Sequence, residues 1–158
     1  MDNNIEPTAD FEEVASDVFV WDRQFETGIP ELDLQHRRLV KIINSLGRIL
    51  AVEIEAKSLV TSLFSVFDEL NEYVDYHFKF EETLMENYHC GCEHKSGHKH
   101  AHDNFIQQIN NARESAKSHP VETTGKALTF LSQWLITHIV GTDMRMAKII
   151  MADRKSVV

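Results

Sequence analysis

His77 and Glu81 lie four residues apart, so on a helix they share one face. The apolar seam through this stretch runs Leu59, Leu63, Val66, Leu70, Val74, His77, Glu81, Leu84, Tyr88. Its steps alternate between three and four, the spacing of a buried stripe. An imidazole and a carboxylate therefore stand where the pattern calls for hydrocarbon. A carboxylate taken out of water alone is costly. A metal ion is the partner that a neighbouring His suggests; a plain His–Glu hydrogen bond within a helical core is the simpler reading of one such pair.

Three more seams are interrupted in the same way. The first is Leu32, His36, Leu39, Ile43, Leu46, Leu50. Another is His98, His102, Phe105, Ile109, Ala112, Ala116, and the last is Leu128, Leu131, Leu135, His138, with Asp143 five residues on. Five imidazoles and two carboxylates thus converge from four directions. If all five imidazoles were charged, two carboxylates could not balance them. If they were neutral, Leu, Ile and Phe neighbours could not supply their hydrogen-bond partners. Metal resolves both problems. Seven ligands exceed what one ion takes, so two ions sharing bridging carboxylates are the economical solution, with the imidazoles divided three and two. Imidazole with carboxylate suits Fe, Mn, Zn or Ni, and no thiolate lies on the seams. With six-coordinate ions and a small oxo or hydroxo bridge, one ion is full and the other keeps an open position. Beside two irons, such a position is a site for dioxygen.

The elements that must position these residues are helices. Six Gly and three Pro in 158 residues leave room for long ones. The first is expected over about Glu31 to Ala51, after a turn at Thr27-Gly28-Ile29-Pro30 in which Pro30 or Asp33 opens the helix. Gly47 weakens it by about 1 kcal/mol relative to Ala. The second spans roughly Ser58 to Tyr88, and His89-Cys90-Gly91-Cys92-Glu93 breaks it. The third starts near Ser96, an N-cap residue type, and ends before Pro120. The fourth runs from about Thr123 to Met151. In a regular helix Asp143 falls about 140° from His138; Gly141 allows a local π-type widening that would bring it back. Four helices with short links predict an all-α, antiparallel up-down-up-down bundle over residues 21–151. An acidic arm precedes it (1–20) and a tail follows (152–158). The arm carries six acids and no Lys or Arg. Its Val18-Phe19-Val20-Trp21 end is expected to pack on the bundle.

A hydrophobic share of 42% and a charged share of 26% fit a globular protein of one domain. A formal net charge of −9 argues against nucleic-acid or anionic-membrane partners. No apolar run is long enough to span a bilayer. The acidic N-terminus lacks a signal pattern, and two Cys so close together fit a reducing cytoplasm.

The motifs Asp33-Leu34-Gln35-His36, His77 to Glu81 with Glu82-x-Leu84-Met85, His98 to His102 with Phe105, and His138 to Asp143 stand in this order. Together with the lead-in Trp21…Thr27-Gly28-Ile29, they resemble the bacterial hemerythrins across roughly Trp21 to Met151. The resemblance implies a non-haem di-iron centre with an oxo or hydroxo bridge that binds O2 reversibly, in a binding protein rather than an enzyme. By carry-over, His98, His102 and His138 hold one iron, His36 and His77 hold the iron with the open position, and Glu81 and Asp143 bridge. Trp134 and Ile136 match positions lining the ligand pocket. His94 and His98 are also four apart, but Phe105 marks His98 and His102 as the matching pair. The role implied is an O2 carrier or store, or an O2- or redox-sensing domain coupled through the last helix to a fused or partner signalling output.

Three alternatives stand beside it. A di-iron enzyme reducing peroxide or nitric oxide would use the same centre. A ferritin-like oxidase needs two Glu-x-x-His motifs, and only Glu86 to His89 qualifies, off the seam. A metal-free bundle is the third. Cys90-x-Cys92 lies outside the family pattern; it reads as an exposed loop, or as a redox-sensitive dithiol or accessory metal site.

Overall fold

The computed structural model describes residues 17–52 and 56–156. The rest of the expected acidic arm, residues 1–16, lies outside them. After a 3-10 turn at Arg23–Phe25 come α1 (Pro30–Val52), α2 (Ala56–Asn87), α3 (Cys92–Ser115), α4 (Pro120–Thr137), a π-helical segment (His138–Asp143) and α5 (Met144–Ser156). α4, the π segment and α5 form one continuous rod. α1 packs on α2 and α4, and α3 packs on α2 and α4. The helices therefore follow one another round a four-helix bundle, with no strand among the described residues.

Local chemistry sets the helix ends. Pro30 takes the first position of α1, where its missing N–H is not needed. Gly28 turns the chain in the left-handed region at φ 85°. Asp33 is not the opener of α1 but the anchor of the turn before it: its carboxylate accepts from the Thr27 N–H (2.7 Å), the Thr27 hydroxyl (2.7 Å) and the Gly28 N–H (3.3 Å). α3 begins four residues before Ser96. His89, at φ 51°, reverses the chain at once, and Lys95 N–H already bonds to Gly91 C=O at 3.0 Å. Ser96 is thus inside the helix and caps nothing. α4 likewise starts at Pro120 rather than Thr123, with proline in its first turn. α5 carries the helix on to Ser156, through most of the expected tail.

The N-terminal end of the described chain is held by an exposed ion pair between Arg48 and Asp17 and by a buried polar pair. Phe19 N–H donates to Asn44 Oδ1 and Asn44 Nδ2 donates to Phe19 C=O, both at 2.9 Å. Phe19 is buried, whereas Val18 and Val20 remain exposed, so only part of the expected apolar arm packs down. This crossing explains Gly47: a Cβ there would lie 2.9 Å from Val18 Cγ2.

Two hydrocarbon clusters fill the bundle. The larger includes Leu39, Ile43, Leu70, Val74, Phe78, Phe105, Leu131 and Leu135. The smaller joins Ile29, Leu32, Met85, Cys90, Met146, Ala147 and Ile150. Cys90 is therefore a buried free thiol packed among apolar side chains, not part of an exposed loop; the side chain of Cys92 lies outside the described set. Along α1, α2 and the α4–α5 rod, the polar seam residues fall between the two clusters. A buried polar layer is thus enclosed by hydrocarbon on both sides.

Candidate metal centre

That layer contains His36, His77, Glu81, His98, His102, His138 and Asp143, each no more than 4% exposed. Helical spacing delivers most of them: His77 with Glu81 from α2, His98 with His102 from α3, His36 from α1. Asp143 arrives by a different route. From His138 to Asp143 the helix winds with i→i+5 bonds, so residues five apart come close to one face. The widening that Gly141 suggested is present. His138 Nε2 and Asp143 Oδ1 lie 3.1 Å apart.

The two carboxylates divide their oxygens between two sets of imidazoles. Glu81 Oε1 faces His77 Nε2 (3.2 Å) and His36 Nε2 (3.6 Å), while Oε2 faces His98 Nε2 (3.1 Å) and His102 Nε2 (2.9 Å). Asp143 Oδ2 faces His36 Nε2 (3.0 Å), while Oδ1 faces His98 and His138 Nε2 (3.1 Å each). The ligand atoms gather into two groups, Glu81 with His98, His102 and His138, and Glu81 with Asp143, His36 and His77. Within each group they lie inside 4.8 Å of one another.

Hydrogen bonding alone does not satisfy this layer. His36 Nε2, Glu81 Oε1 and both Asp143 oxygens are buried with no hydrogen-bond partner among the described residues. His102 Nε2 and His138 Nε2 lie 3.2 Å apart, a hydrogen bond only when one of the two rings carries its proton on Nε2. Buried polar atoms left without a partner are rare. Apart from His98 Nε2 on Glu81 Oε2 at 3.1 Å, these nitrogens and carboxylate oxygens converge with few hydrogen bonds among themselves, an arrangement that fits a pair of cations.

Without metal, the layer can balance its own charge. Burial opposes a charge on His36 and on His98, but the close carboxylates of Asp143 and Glu81 outweigh it and raise each to about 9. Burial pushes Asp143 and Glu81 up, as does Glu81's charge for Asp143; the surrounding imidazoles more than reverse this and hold both carboxyls below their ordinary range. Burial pulls His102 down, in spite of Glu81.

Residues that sequence spacing did not single out as contributors support the ligands. Gln35 Oε1 accepts from His77 Nδ1 at 2.8 Å and so points His77 Nε2 at the carboxylates. Phe78 stacks flat on His102, centroids 3.7 Å apart and planes 5° apart. Glu82 lies 3.7 Å from His102 Nδ1. Gln35 entered the sequence reading only as part of the Asp33-Leu34-Gln35-His36 motif, with no role of its own. The π-stacking of Phe78 left no signal, because an aromatic next to a seam reads as ordinary core. Trp134 stacks on His138 at 4.3 Å and 13°. Ile136 is not brought to the histidines: it is 40% exposed and, two residues on, lies about 200° round the helix from Trp134.

A helical bundle enclosing a buried layer of five imidazoles and two carboxylates defines the class of protein. Residues 27–150 match the family described as the hemerythrin HHE cation binding domain. The chain is 34% identical over 125 residues to a bacteriohemerythrin of Pseudomonas aeruginosa, covering 78% of this chain and 76% of that protein. It is 31% identical over 130 residues to a bacteriohemerythrin of Stenotrophomonas maltophilia (82% and 80%). It is 33% identical over 128 residues to a hemerythrin-like protein of Naegleria gruberi (80% and 89%). The chain belongs to the hemerythrin family.

Proposed function

We propose that the centre holds two non-haem irons and that the protein binds O2 reversibly, as a carrier or store. The observation that carries this reading is the split of Glu81 and Asp143 between the two imidazole sets. Each carboxylate offers one oxygen to each side, which suits bridging ligands. His98, His102 and His138 would complete one position, and His36 with His77 the other. The second position has one protein donor fewer and keeps room for a small ligand. When bound, the iron pair supplies the electrons for reversible dioxygen binding.

The chain's own contribution is shape, orientation and dryness. Phe78, Phe105 and Trp134 form an aromatic wall against His102 and His138. The two hydrocarbon clusters close the layer above and below, which keeps water from the ligands and favours release of the bound gas over side reactions. Gln35 fixes the orientation of His77 on the side with fewer donors.

A sensing role is a second reading, favoured by one feature. His138 and Asp143 bracket the π segment, which runs directly into α5. A change in how Asp143 is held would be passed to that helix without an intervening loop. The test of the main reading is an anaerobic-to-aerobic absorption titration with metal analysis. Two irons per chain and a colour that returns after deoxygenation support it. Steady consumption of peroxide or nitric oxide with a reductant, without stable oxygenation, would replace it with an enzymatic role.

A further inference from the structure

The third helix carries His at three successive i,i+4 positions: His94, His98 and His102. Only the last two are needed as ligands, so His94 is left without a task. The structure places it one turn ahead of His98, in the first turns of α3, where it is half-buried. The His94 and His98 rings meet edge to face, with centroids 5.3 Å apart and planes at 87°. His98 Nδ1 and His94 Nε2 are 3.3 Å apart. His98 Nε2 faces Glu81 and Asp143, so it is the nitrogen that would bind metal. A ring that binds through Nε2 carries its proton on Nδ1, and that proton then points at His94 Nε2.

Few ligands have such support. His77 has Gln35 at 2.8 Å. His36 Nδ1 and His102 Nδ1 have no hydrogen-bond partner among the described residues. Gln35 serves the two-imidazole side, and His94 serves the three-imidazole side.

We propose that His94 is a positioning residue for the metal centre: it accepts the His98 Nδ1–H bond, fixes the His98 tautomer with Nε2 toward the carboxylates, and slows loss of metal from the three-imidazole position. This rests on the di-iron reading above. A ligand whose far N–H is bonded is held in orientation and is a better donor, and removal of such partners costs roughly 10–100-fold in metal affinity. The early start of α3 is what makes this possible, since a helix beginning at Ser96 would leave His94 outside it.

The experiment loads full-length wild type, H94A, H94Q and the exposed-helix control H100A anaerobically with ferrous iron. It then follows release to a chelator and the paramagnetically shifted Nδ1–H resonances of the bound imidazoles. Uptake of two irons by wild type tests the underlying reading separately; without it the di-iron assignment itself fails. With two irons in place, H94A is expected to release iron about 10–100-fold faster and to shift or broaden one Nδ1–H resonance. H94Q, whose amide oxygen can accept the same bond, is expected to restore the rate to within a few-fold of H100A. Equal release from H94A and H100A overturns the proposal. So does an H94Q protein as fast as H94A, since that would make packing rather than acceptance the cause.

Discussion

Glu81 turns one carboxylate oxygen toward each set of imidazoles, Oε1 to His77 and Oε2 to His102, so in the proposed centre both halves would depend on it. Replacing it with alanine should therefore strip more metal than replacing His77, which serves one half. We expect H77A to lose at least one iron and E81A to lose both, with the colour lost in each; retention of two irons in either variant, by metal analysis, contradicts the ligand set. Gln35 acts one step out. Its loss in Q35L leaves a buried His77 N–H without an acceptor, at a cost of about 1–3 kcal/mol, and should weaken iron retention on the two-imidazole side roughly 10–100-fold. Chelator release that stays at the wild-type rate would count against that role. The five imidazoles and Glu81 stood out in the sequence as polar residues set in apolar stripes, whereas Asp143, turned off its seam in a regular helix, did not. Gln35 and His94 were not legible as supports, because what assigns them is the direction of an Nδ1–H bond, which spacing does not encode.

At the scale of elements, the π segment is the decisive one. A regular helix would turn Asp143 away by about 140°, and the six residues His138–Asp143 recover it. The sequence offered Gly141 as the cause, yet a Cβ built there meets nothing within 4 Å, and its φ is not positive. The widening is better explained by the pull of the buried layer on Asp143. G141A is accordingly expected to keep both irons and to gain about 0.5–1 kcal/mol in a denaturation titration; loss of metal on this change would return the cause to the glycine. The four helices, their order and the inward seams were readable from periodicity. The start of α3 was not, because a serine is a good cap only where the chain needs one, and the left-handed turn at His89 removes that need.

For the molecule as a whole, the metal-free state is governed by charge balance. His36 and His98, raised to about 9 from 6.5, add stability that is complete below 6.5 and lost as pH climbs through about 9. Glu81 and Asp143, lowered from 4.5 and 3.8, add stability present above those values and lost as pH falls through their depressed ones. His102 and His94, lowered from 6.5, act the other way and remove stability as pH falls below that value, so the metal-free protein should be most stable near pH 6.5 and decline toward pH 9, by thermal unfolding. Iron must displace the imidazole protons, so uptake should release protons and tighten over the same rise in pH. A metal-free protein equally stable at pH 6 and pH 9 would contradict this balance. If one buried layer holds two ions through shared carboxylates, anomalous diffraction from iron-loaded crystals will show two peaks, one among His98, His102 and His138 and one beside His36 and His77, with Glu81 and Asp143 touching both. A single peak, or peaks away from these residues, would rule out a shared two-ion centre.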